Sequence, residues 1–384
     1  MPRPDIVVIG AGIGGLTLGL ALRRNGIPVR IYEQAPALAE VGAAVALAAN
    51  GTRILVDLGL RPALEPTSAV PSELVYRHWA DARRLAAHPV SNGYEDRFGG
   101  PFWGVHRANL QQALAAAWGP DELQLGKGLV ELDRRDGRYE LTFTDGSTTT
   151  ADIVVGADGI RSRVRSVVTD VEPVYSGTSG FRGLVHRDAV PDLPEPDAVQ
   201  FWMGPGAHLL HYAIGDVVNF LAVIEGPDAW DAPGGMAPAA DGELAAAFRD
   251  WHPAVRQMID AVPQGPRWGL FALPPLTRWS RDGVVLLGDA AHAMLPHHGQ
   301  GANQTIEDAA VLADCLAASQ EPAVAFAAYE RRRRARTRQV QRSSWVTSAL
   351  LHLPDGDAAD ARDAALRDLD VSWIHAFDTK GIPA

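Results

Sequence analysis

Cysteine is nearly absent from this chain, because Cys315 is the single one among 384 residues. One cysteine cannot form an internal disulfide, so nothing points to an oxidising compartment. No uninterrupted apolar run approaches the roughly 18 residues that a transmembrane helix needs. The first strand-like run begins within a few residues of Met1, which leaves no room for a signal peptide. We therefore expect a cytoplasmic protein that does not bind membranes.

An excess of basic charge is also missing. The chain has 35 Lys and Arg against 46 Asp and Glu, a net charge of −11, which argues against general attraction to nucleic acid or anionic lipid. Hydrophobic residues make up 47% and charged residues 21%, as in an ordinary globular enzyme. This length allows roughly two or three domains.

A glycine-rich turn between a predicted strand and a predicted helix stands near the start of the chain. Residues 5–9 form an apolar, β-branched run that predicts a buried parallel strand. Gly10 permits a tight turn, Gly12 lets the backbone approach a pyrophosphate, and Gly15 allows the helix to pack closely on the strand. Glu33 follows the second predicted strand, where a carboxylate accepts hydrogen bonds from an adenosine ribose. This arrangement predicts a dinucleotide site.

Two later stretches narrow the prediction from a dinucleotide to FAD. Residues 155–162 read VGADGIRS and contain Asp158, and residues 287–292 read LGDAAH and contain Asp289. The turn of small residues after the strand at 284–287 lets backbone lie against a flat ring. A helix beginning near Asn303 would direct its positive end toward the flavin edge that becomes anionic on reduction. Glu307 and Asp308, in the first turns of that helix, are interpreted as structural.

In this order and spacing, the three stretches resemble class A single-component flavoprotein monooxygenases over nearly the whole chain. This family includes 4-hydroxybenzoate and salicylate hydroxylases, and the resemblance is greatest to salicylate, 3-hydroxybenzoate and 6-hydroxynicotinate hydroxylases. The resemblance implies an α/β fold, in which a Rossmann-like FAD-binding domain of the glutathione-reductase type receives an inserted antiparallel-sheet substrate domain and ends in a C-terminal helical segment. The predicted bounds are 1–72, 101–172 and 268–345 for the FAD domain, 73–100 and 173–267 for the substrate domain, and 346–384 for the helical segment. One helix is predicted over 243–258.

The resemblance also implies the cofactors and the residues that hold them. FAD is the resident cofactor, NADH or NADPH is a transient electron donor, and no metal site is expected. Asp289 would bond the ribityl chain, Arg107 and Gln111 would contact FAD, and Asp158 would organise the site for FAD and the nicotinamide donor. The full predicted cofactor-binding set is Gly10, Gly12, Gly15, Glu33, Arg107, Gln111, Asp158, Asp289, Pro296, Gly301, Ala302 and Asn303.

The family reaction hydroxylates a small phenolic or aromatic-acid substrate with O2 through a flavin C4a-hydroperoxide. A phenol reacts faster as phenolate, so a base near its hydroxyl is useful. His208 and Tyr212 lie four residues apart on a predicted strand, hence on one face. The resemblance implies that His208 is the base or proton relay and Tyr212 its partner. His297, beside the expected flavin ring, is the other catalytic candidate, its alternative being a solvated loop histidine; Arg182 ranks below these.

Several alternatives remain open at this level. A polyketide-tailoring monooxygenase and a non-hydroxylating flavin oxidoreductase share the motifs, and the protein is expected to be a monomer or a homodimer. The 6-hydroxynicotinate enzymes carry a histidine where this chain has Ala46, which makes that substrate a weaker candidate. The arginines within residues 331–342 are interpreted as a solvated or subunit-contact face of a long helix rather than as a nucleic-acid site.

Overall fold

A computed structural model describes residues 3–38 and 44–381 of the chain. Its strands are β1 Ile6–Ile9, β2 Val29–Tyr32, β3 Ala44–Leu47, β4 Ser68–Ala69, β5 Glu73–His78, β6 Arg84–Pro89, β7 Trp103–His106, β8 Leu129–Arg135, β9 Arg138–Phe143, β10 Thr148–Ala151, β11 Ile153–Gly156, β12 Val174–His186, β13 Val199–Gly204, β14 Ala207–Ile214, β15 Val217–Glu225, β16 Met236–Ala237, β17 Arg267–Ala272, β18 Ser280–Arg281 and β19 Val284–Leu286. Its helices are α1 Ile13–Arg24, α2 Ala49–Asp57, α3 Arg61–Leu64, α4 Tyr94–Phe98, α5 Arg107–Trp118, α6 Arg165–Val168, α7 Glu243–Ala247, α8 Pro253–Asp260, α9 Asp289–His292, α10 Gly301–Ala318, α11 Pro322–Leu351, α12 Asp357–Arg367 and α13 Ser372–His375.

The first sheet has the strand order β18-β19-β11-β1-β2 and is parallel except at the edge pair β18–β19. Every residue of β1 is buried, as expected for an aliphatic, β-branched strand with helices on both faces. The carboxyl ends of β1, β11 and β19 lead directly into the three predicted motifs. The predicted Rossmann-like domain is confirmed, and its topology brings motifs from distant parts of the chain to one edge of a sheet.

A larger sheet has the strand order β16-β17-β12-β15-β14-β13-β5-β6. It is antiparallel except where β5 runs parallel to β13. One face packs on α7 and α8 through an apolar cluster that includes Trp202, Phe220 and Trp251. The other face packs toward the first domain through Tyr76, Phe201 and neighbouring apolar residues. β17 runs to residue 272, across the predicted boundary at 267, and the domain bounds themselves remain predictions.

The single helix predicted over residues 243–258 is wrong. Two helices occupy this range, α7 ending at Ala247 and α8 beginning at Pro253. Proline has no N–H to continue a preceding helix but fits the first helical turn, so Pro253 starts a new helix. The His252 side chain caps it by accepting a hydrogen bond of 3.2 Å from the Ala254 N–H. The prediction of one continuous helix therefore missed a break between residues 247 and 253.

The C-terminal segment folds back onto the substrate sheet. His88 of β6 lies 3.0 Å from the Leu366 carbonyl through Nε2, and Arg367 donates to the Leu85 carbonyl at 3.1 Å. α12 thus lies against the edge strand, and α13 follows it and packs on Tyr94 and Phe98 of α4 through His375. None of the helices in the described ranges combines the length and apolar character needed to cross a bilayer.

Candidate active site

The glycine turn after β1 has the geometry that a dinucleotide requires. Gly10 has a φ of +106°, and a Cβ on it would lie 2.4 Å from the Ala157 carbonyl oxygen. A Cβ on Gly15 would lie 1.9 Å from the Gly10 oxygen, so the helix could not approach the strand. In contrast, apart from its chain neighbours and its own helix, none of the described residues places an atom within 4 Å of the Cβ position of Gly12. The open space beside Gly12, at the start of α1, fits a pyrophosphate.

Two residues that are predicted to bind FAD hold this turn in place through hydrogen bonds. The Glu33 carboxylate accepts hydrogen bonds from the Ala11 N–H at 2.7 Å and from the Ala35 N–H at 2.9 Å. Gln111 donates from Nε2 to the Ala11 carbonyl at 2.9 Å. Both side chains therefore fix the peptide between Gly10 and Gly12, and their contact with FAD itself remains a prediction.

Asp158 forms hydrogen bonds within its own loop. Its carboxylate accepts hydrogen bonds from the Ser162 hydroxyl at 2.5 Å, from the Arg163 N–H at 2.8 Å and from the Val164 N–H at 3.2 Å. Burial raises the pKa of Asp158, against the effect of these donors. The side chain holds the loop after β11 in shape, which matches an organising role better than direct contact.

The third motif presents Asp289 and the N-terminus of α10 to a common space. Gly288 has a φ of +62°, and its N–H donates to Asp308 at 3.0 Å, which turns the chain sharply into α9. Asp289 is exposed at the start of α9 and faces the space beside Gly12. Asn303 instead joins β3 to the turn, since it donates to the Ala46 and Gly299 carbonyls at 3.0 and 2.9 Å and accepts from the Ala48 N–H at 3.0 Å.

These elements line a first cavity of about 270 Å³. The predicted cofactor residues that line it are Gly12, Arg107, Asp289, Pro296, Gly301 and Ala302. The remaining predicted cofactor residues support this cavity from behind, as described for Glu33 and Asn303. Arg182 and Asn219 of the large sheet line the opposite side. This cradle offers space for a pyrophosphate, the exposed Asp289 carboxylate and a helix N-terminus, and so it fits FAD.

A second, mainly apolar cavity of about 100 Å³ adjoins the first. The two share the lining residues Ala46, Leu210, Tyr212, Gly299 and Gln300. Aromatic and aliphatic side chains such as Tyr76, Phe102 and Phe201 form much of its wall. An apolar slot beside the flavin motifs is the type of site that binds a small flat ring.

His297 borders this second cavity. It is 3% exposed, and neither of its ring nitrogens has a hydrogen-bond partner in the described part of the chain. Burial, with repulsion from His352 and His298, lowers its pKa to about 3, so its imidazole is neutral at physiological pH. A buried neutral imidazole with free nitrogens is prepared to bind a hydroxyl group. The alternative of a solvated loop histidine does not fit its burial.

His208 lies behind His297, and its partner differs from the expected one. Their rings are 5.0 Å apart edge to face, while His208 Nδ1 lies 2.7 Å from His352 Nε2. The predicted partnership of His208 with Tyr212 is therefore wrong, because a histidine from the end of α11 takes that place. Tyr212 instead lines both cavities, while His208 lines neither. Burial, His297 and His352 lower the pKa of His208 well below its usual value.

A buried ion network lies beneath these cavities and corrects the interpretation of the basic helix. Arg333 is fully buried and pairs with Glu307 and, at 2.7 Å, with Asp308, while Arg336 lies 3.3 Å from Glu307. For these two arginines a solvated face is wrong, because carboxylates on α10 draw them inward. Asp308 also binds His292. The prediction that Glu307 and Asp308 are structural agrees with these contacts.

Sequence reasoning missed two groups at the site and undervalued a third. Arg182 was ranked low, yet it lines the first cavity beside Tyr212. His352 and residues 369–375, which border the second cavity, carry no motif. Only their spatial proximity to β14 and α4 identifies them.

Comparison with known proteins agrees with this geometry. A family model described as FAD binding domain matches residues 3–207 and 272–344. The 3-amino-4-hydroxybenzoate 2-monooxygenase of Streptomyces cremeus is 38% identical over 385 residues, covering 98% of this chain and 96% of the relative. The salicylate hydroxylase of Pseudomonas putida is 34% identical, covering 97% and 93%.

Solved structures share the whole architecture. A salicylate hydroxylase substrate complex superposes with a TM-score of 0.82 at 27% identity, covering 98% of this chain and 96% of the other. Klebsiella pneumoniae HpxO complexed with FAD and uric acid gives a TM-score of 0.83 at 27% identity, covering 95% and 93%. This chain belongs to the family of FAD-dependent aromatic monooxygenases.

Proposed function

We propose that this monooxygenase hydroxylates a small aromatic acid that carries a phenolic hydroxyl, with 3-amino-4-hydroxybenzoate as the first candidate. The observation that carries the proposal is the pair of adjoining cavities, one built from the FAD motifs and one apolar and bordered by the neutral His297. Three relatives named 3-amino-4-hydroxybenzoate 2-monooxygenase are 38%, 40% and 39% identical over 98% of this chain, which supports the substrate class. The enzyme acts as a monomer or a homodimer.

In this proposal the cofactor is held at three points of the first cavity. The backbone beside Gly12 receives the pyrophosphate, Arg107 adds positive charge, and Asp289 accepts hydrogen bonds from the ribityl hydroxyls. FAD, once bound and reduced by NAD(P)H, supplies the activation of O2. The protein's own residues bind the ring, orient it and exclude water.

Arg182 supplies charge for the substrate carboxylate in this proposal. It lines the first cavity beside Tyr212, which borders both cavities. Its side chain is exposed in this open cavity, while the surrounding protein lowers its pKa, and the titratable groups of the described residues that act on it are Tyr212 and Arg107. A guanidinium can bind a carboxylate through two hydrogen bonds.

His297 orients the phenolic hydroxyl and accepts its proton at a ring nitrogen. In the free enzyme its low pKa makes it a weak base, but an anionic ring bound beside it raises that pKa again. His208 packs edge-to-face against His297 and is itself bonded to His352, so these two residues hold the His297 ring in place. The proton thus passes to His297 while the ring gains phenolate character.

Steady-state turnover of the FAD-loaded enzyme tests this proposal. NADH and NADPH oxidation, oxygen uptake and hydrogen peroxide release would be followed with 3-amino-4-hydroxybenzoate, salicylate, 3-hydroxybenzoate and 6-hydroxynicotinate. We expect one hydroxybenzoate to accelerate NAD(P)H oxidation without matching peroxide release. Complete conversion of oxygen to peroxide with every ring would indicate a non-hydroxylating flavin oxidoreductase. Stimulation only by bulkier polyketide phenols would indicate a natural-product tailoring enzyme.

A further inference from the structure

One wall of the apolar cavity comes from the last helical segment of the chain. Leu369, Val371, Trp373, Ile374 and His375 all line it, opposite residues of β13 and β14. Ile374 and His375 are each 6% exposed. The chain end therefore contributes directly to the space in which the ring is proposed to bind.

This wall is fixed to the flavin side of the molecule. Arg336 donates to the Trp373 carbonyl at 2.5 Å and to the Ile374 carbonyl at 2.9 Å. The same guanidinium lies 3.3 Å from Glu307 of α10, the helix that begins at the third flavin motif. The position of the wall is consequently set by the same network that supports the cofactor site.

His375 is the polar group of this wall. Its ring lies edge-on or tilted to Tyr94, Phe98 and Phe102, with centroids 5.8 to 6.0 Å apart. Its Nδ1 is buried, with no hydrogen-bond partner in the residues that the structure describes. Burial, with repulsion from Arg336 and His298, lowers its pKa to about 4, so the ring is neutral. A buried polar atom without a partner is costly unless a ligand satisfies it.

We propose that His375 binds a second polar substituent of the ring, an amino or hydroxyl group, and that residues 369–375 form a specificity subsite. This inference rests on the proposed hydroxylation of aromatic acids. A neutral imidazole has one donor and one acceptor nitrogen, so it can accept from an amino N–H or donate to a hydroxyl oxygen. Both residues border the cavity, and among the described residues neither ring nitrogen of His297 nor Nδ1 of His375 has a partner, so the slot suits a ring with two hydrogen-bonding substituents.

The test compares two ligands in matched variants of the holoenzyme. Dissociation constants for 3-amino-4-hydroxybenzoate and 4-hydroxybenzoate would be measured from flavin absorbance changes. We expect the wild type to prefer the amino compound by about 10-fold. His375→Phe keeps the ring packing but removes the nitrogen, and should reduce this preference to about 1-fold while leaving 4-hydroxybenzoate within about 2-fold.

Two further variants separate binding from packing. His375→Asn places an amide near the position of Nδ1 and should retain part of the preference. His186→Phe, the same exchange at an exposed strand end, should leave it unchanged. An unchanged preference in His375→Phe would overturn the subsite and leave the proposed function standing. Failure of the wild type to bind or turn over any aromatic acid would overturn both.

A bulkier wall residue provides the test should His375→Phe fail to fold. Val371 is half-buried on the same wall, so Val371→Phe should fill the slot. We expect it to weaken binding of both ligands at least about 10-fold while FAD content stays at the wild-type level. Unchanged dissociation constants in this variant would show that the wall lies outside the substrate site and would overturn the inference.

Discussion

At the scale of single residues, the chemistry depends on histidines that the fold keeps neutral. His208 contacts both His297 and His352. Burial lowers the pKa of all three, and repulsion from neighbouring histidines adds to this effect for His208 and His297. A cationic imidazole in this position could not accept a proton, whereas a neutral one can. In the proposed mechanism His297 meets the ring, and His208 and His352 act through it.

Replacement of His297 by Gln should slow hydroxylation by about 100-fold, because a positioned base typically contributes that much or more. FAD content should not change. Since the free enzyme holds the pKa of His297 near 3, the neutral acceptor form prevails at all higher pH. The wild-type to variant ratio of kcat/KM should therefore be flat between about pH 5.5 and 8. A change of that ratio with pH, centred near pH 6.5, would contradict the low pKa of His297.

At the scale of helices, α10 is fixed between the flavin turn and α11 by buried charges. Glu307 and Asp308 would raise the free energy of the folded state if left alone in the interior. Burial alone would lower the pKa of Arg333, but Glu307 and Asp308 raise it, so it stays charged. The network is matched in charge across two helices and reaches the loop that carries Asp289 through Asp308 and Gly288.

Arg333→Met should lower the free energy of unfolding by about 3–5 kcal/mol, because it leaves buried carboxylates without their cation. The double variant Arg333→Met with Glu307→Gln should recover part of this loss. Arg331→Met and Arg338→Met, at exposed positions of the same helix, should change stability by no more than about 0.5 kcal/mol. Urea unfolding of the holoenzyme measures these differences. A loss as small in Arg333→Met as in the exposed controls would refute the role of the network.

Local signals predicted the flavin elements well, since each motif depends on its own strand, turn and helix. Gly10, Gly12 and Gly15 act within a single βα unit, and their spacing carries the geometry. The buried face of α11 could not be predicted in this way. Arginines lie on all sides of this helix, and only the carboxylates of α10 determine which of them are buried. Pro253 did carry a visible signal of a helix break, which the prediction of one helix over 243–258 did not take into account.

At the scale of the whole molecule, the second cavity is assembled from segments far apart in the chain. Ala46 of β3, Tyr76 and Tyr212 of the large sheet, His297 of the turn before α10 and His375 of the C-terminal segment all border it. The hydrophobic periodicity of the sequence does not indicate which of these residues lie close together. The sequence therefore predicted Tyr212 and His297 through a family resemblance, but not the wall formed by residues 369–375.

The burial of histidines makes the stability of the whole protein sensitive to acid. Burial lowers the pKa of a set of histidines, which comprises His208, His211, His297, His298, His352 and His375. In the unfolded chain they titrate near 6.5, so below that pH the unfolded state binds more protons. Their contribution to stability is complete above pH 6.5 and is lost as pH falls toward 4 and then 3, by up to about 1.4 kcal/mol per histidine and pH unit.

The free energy of unfolding of the holoenzyme should consequently fall steeply from pH 7 to pH 5.5 and little from pH 8 to pH 7. His211 packs beside Trp202 with both ring nitrogens unpartnered among the described residues. His211→Leu should make the acid loss shallower, while the exposed His186→Phe should leave it as in the wild type. Urea unfolding at each pH gives the slopes. Equal slopes in His211→Leu and the wild type would contradict this explanation.

The central claim is that the apolar cavity presents an aromatic acid to oxygen activated at the adjoining FAD site. The most direct test is turnover of 3-amino-4-hydroxybenzoate under isotopically labelled dioxygen, with mass spectrometry of the product. We predict a product heavier by one labelled oxygen atom, formed in proportion to the NAD(P)H consumed. Unlabelled ring with all label recovered in hydrogen peroxide or water, for this ring and for the other hydroxybenzoates, would contradict the account.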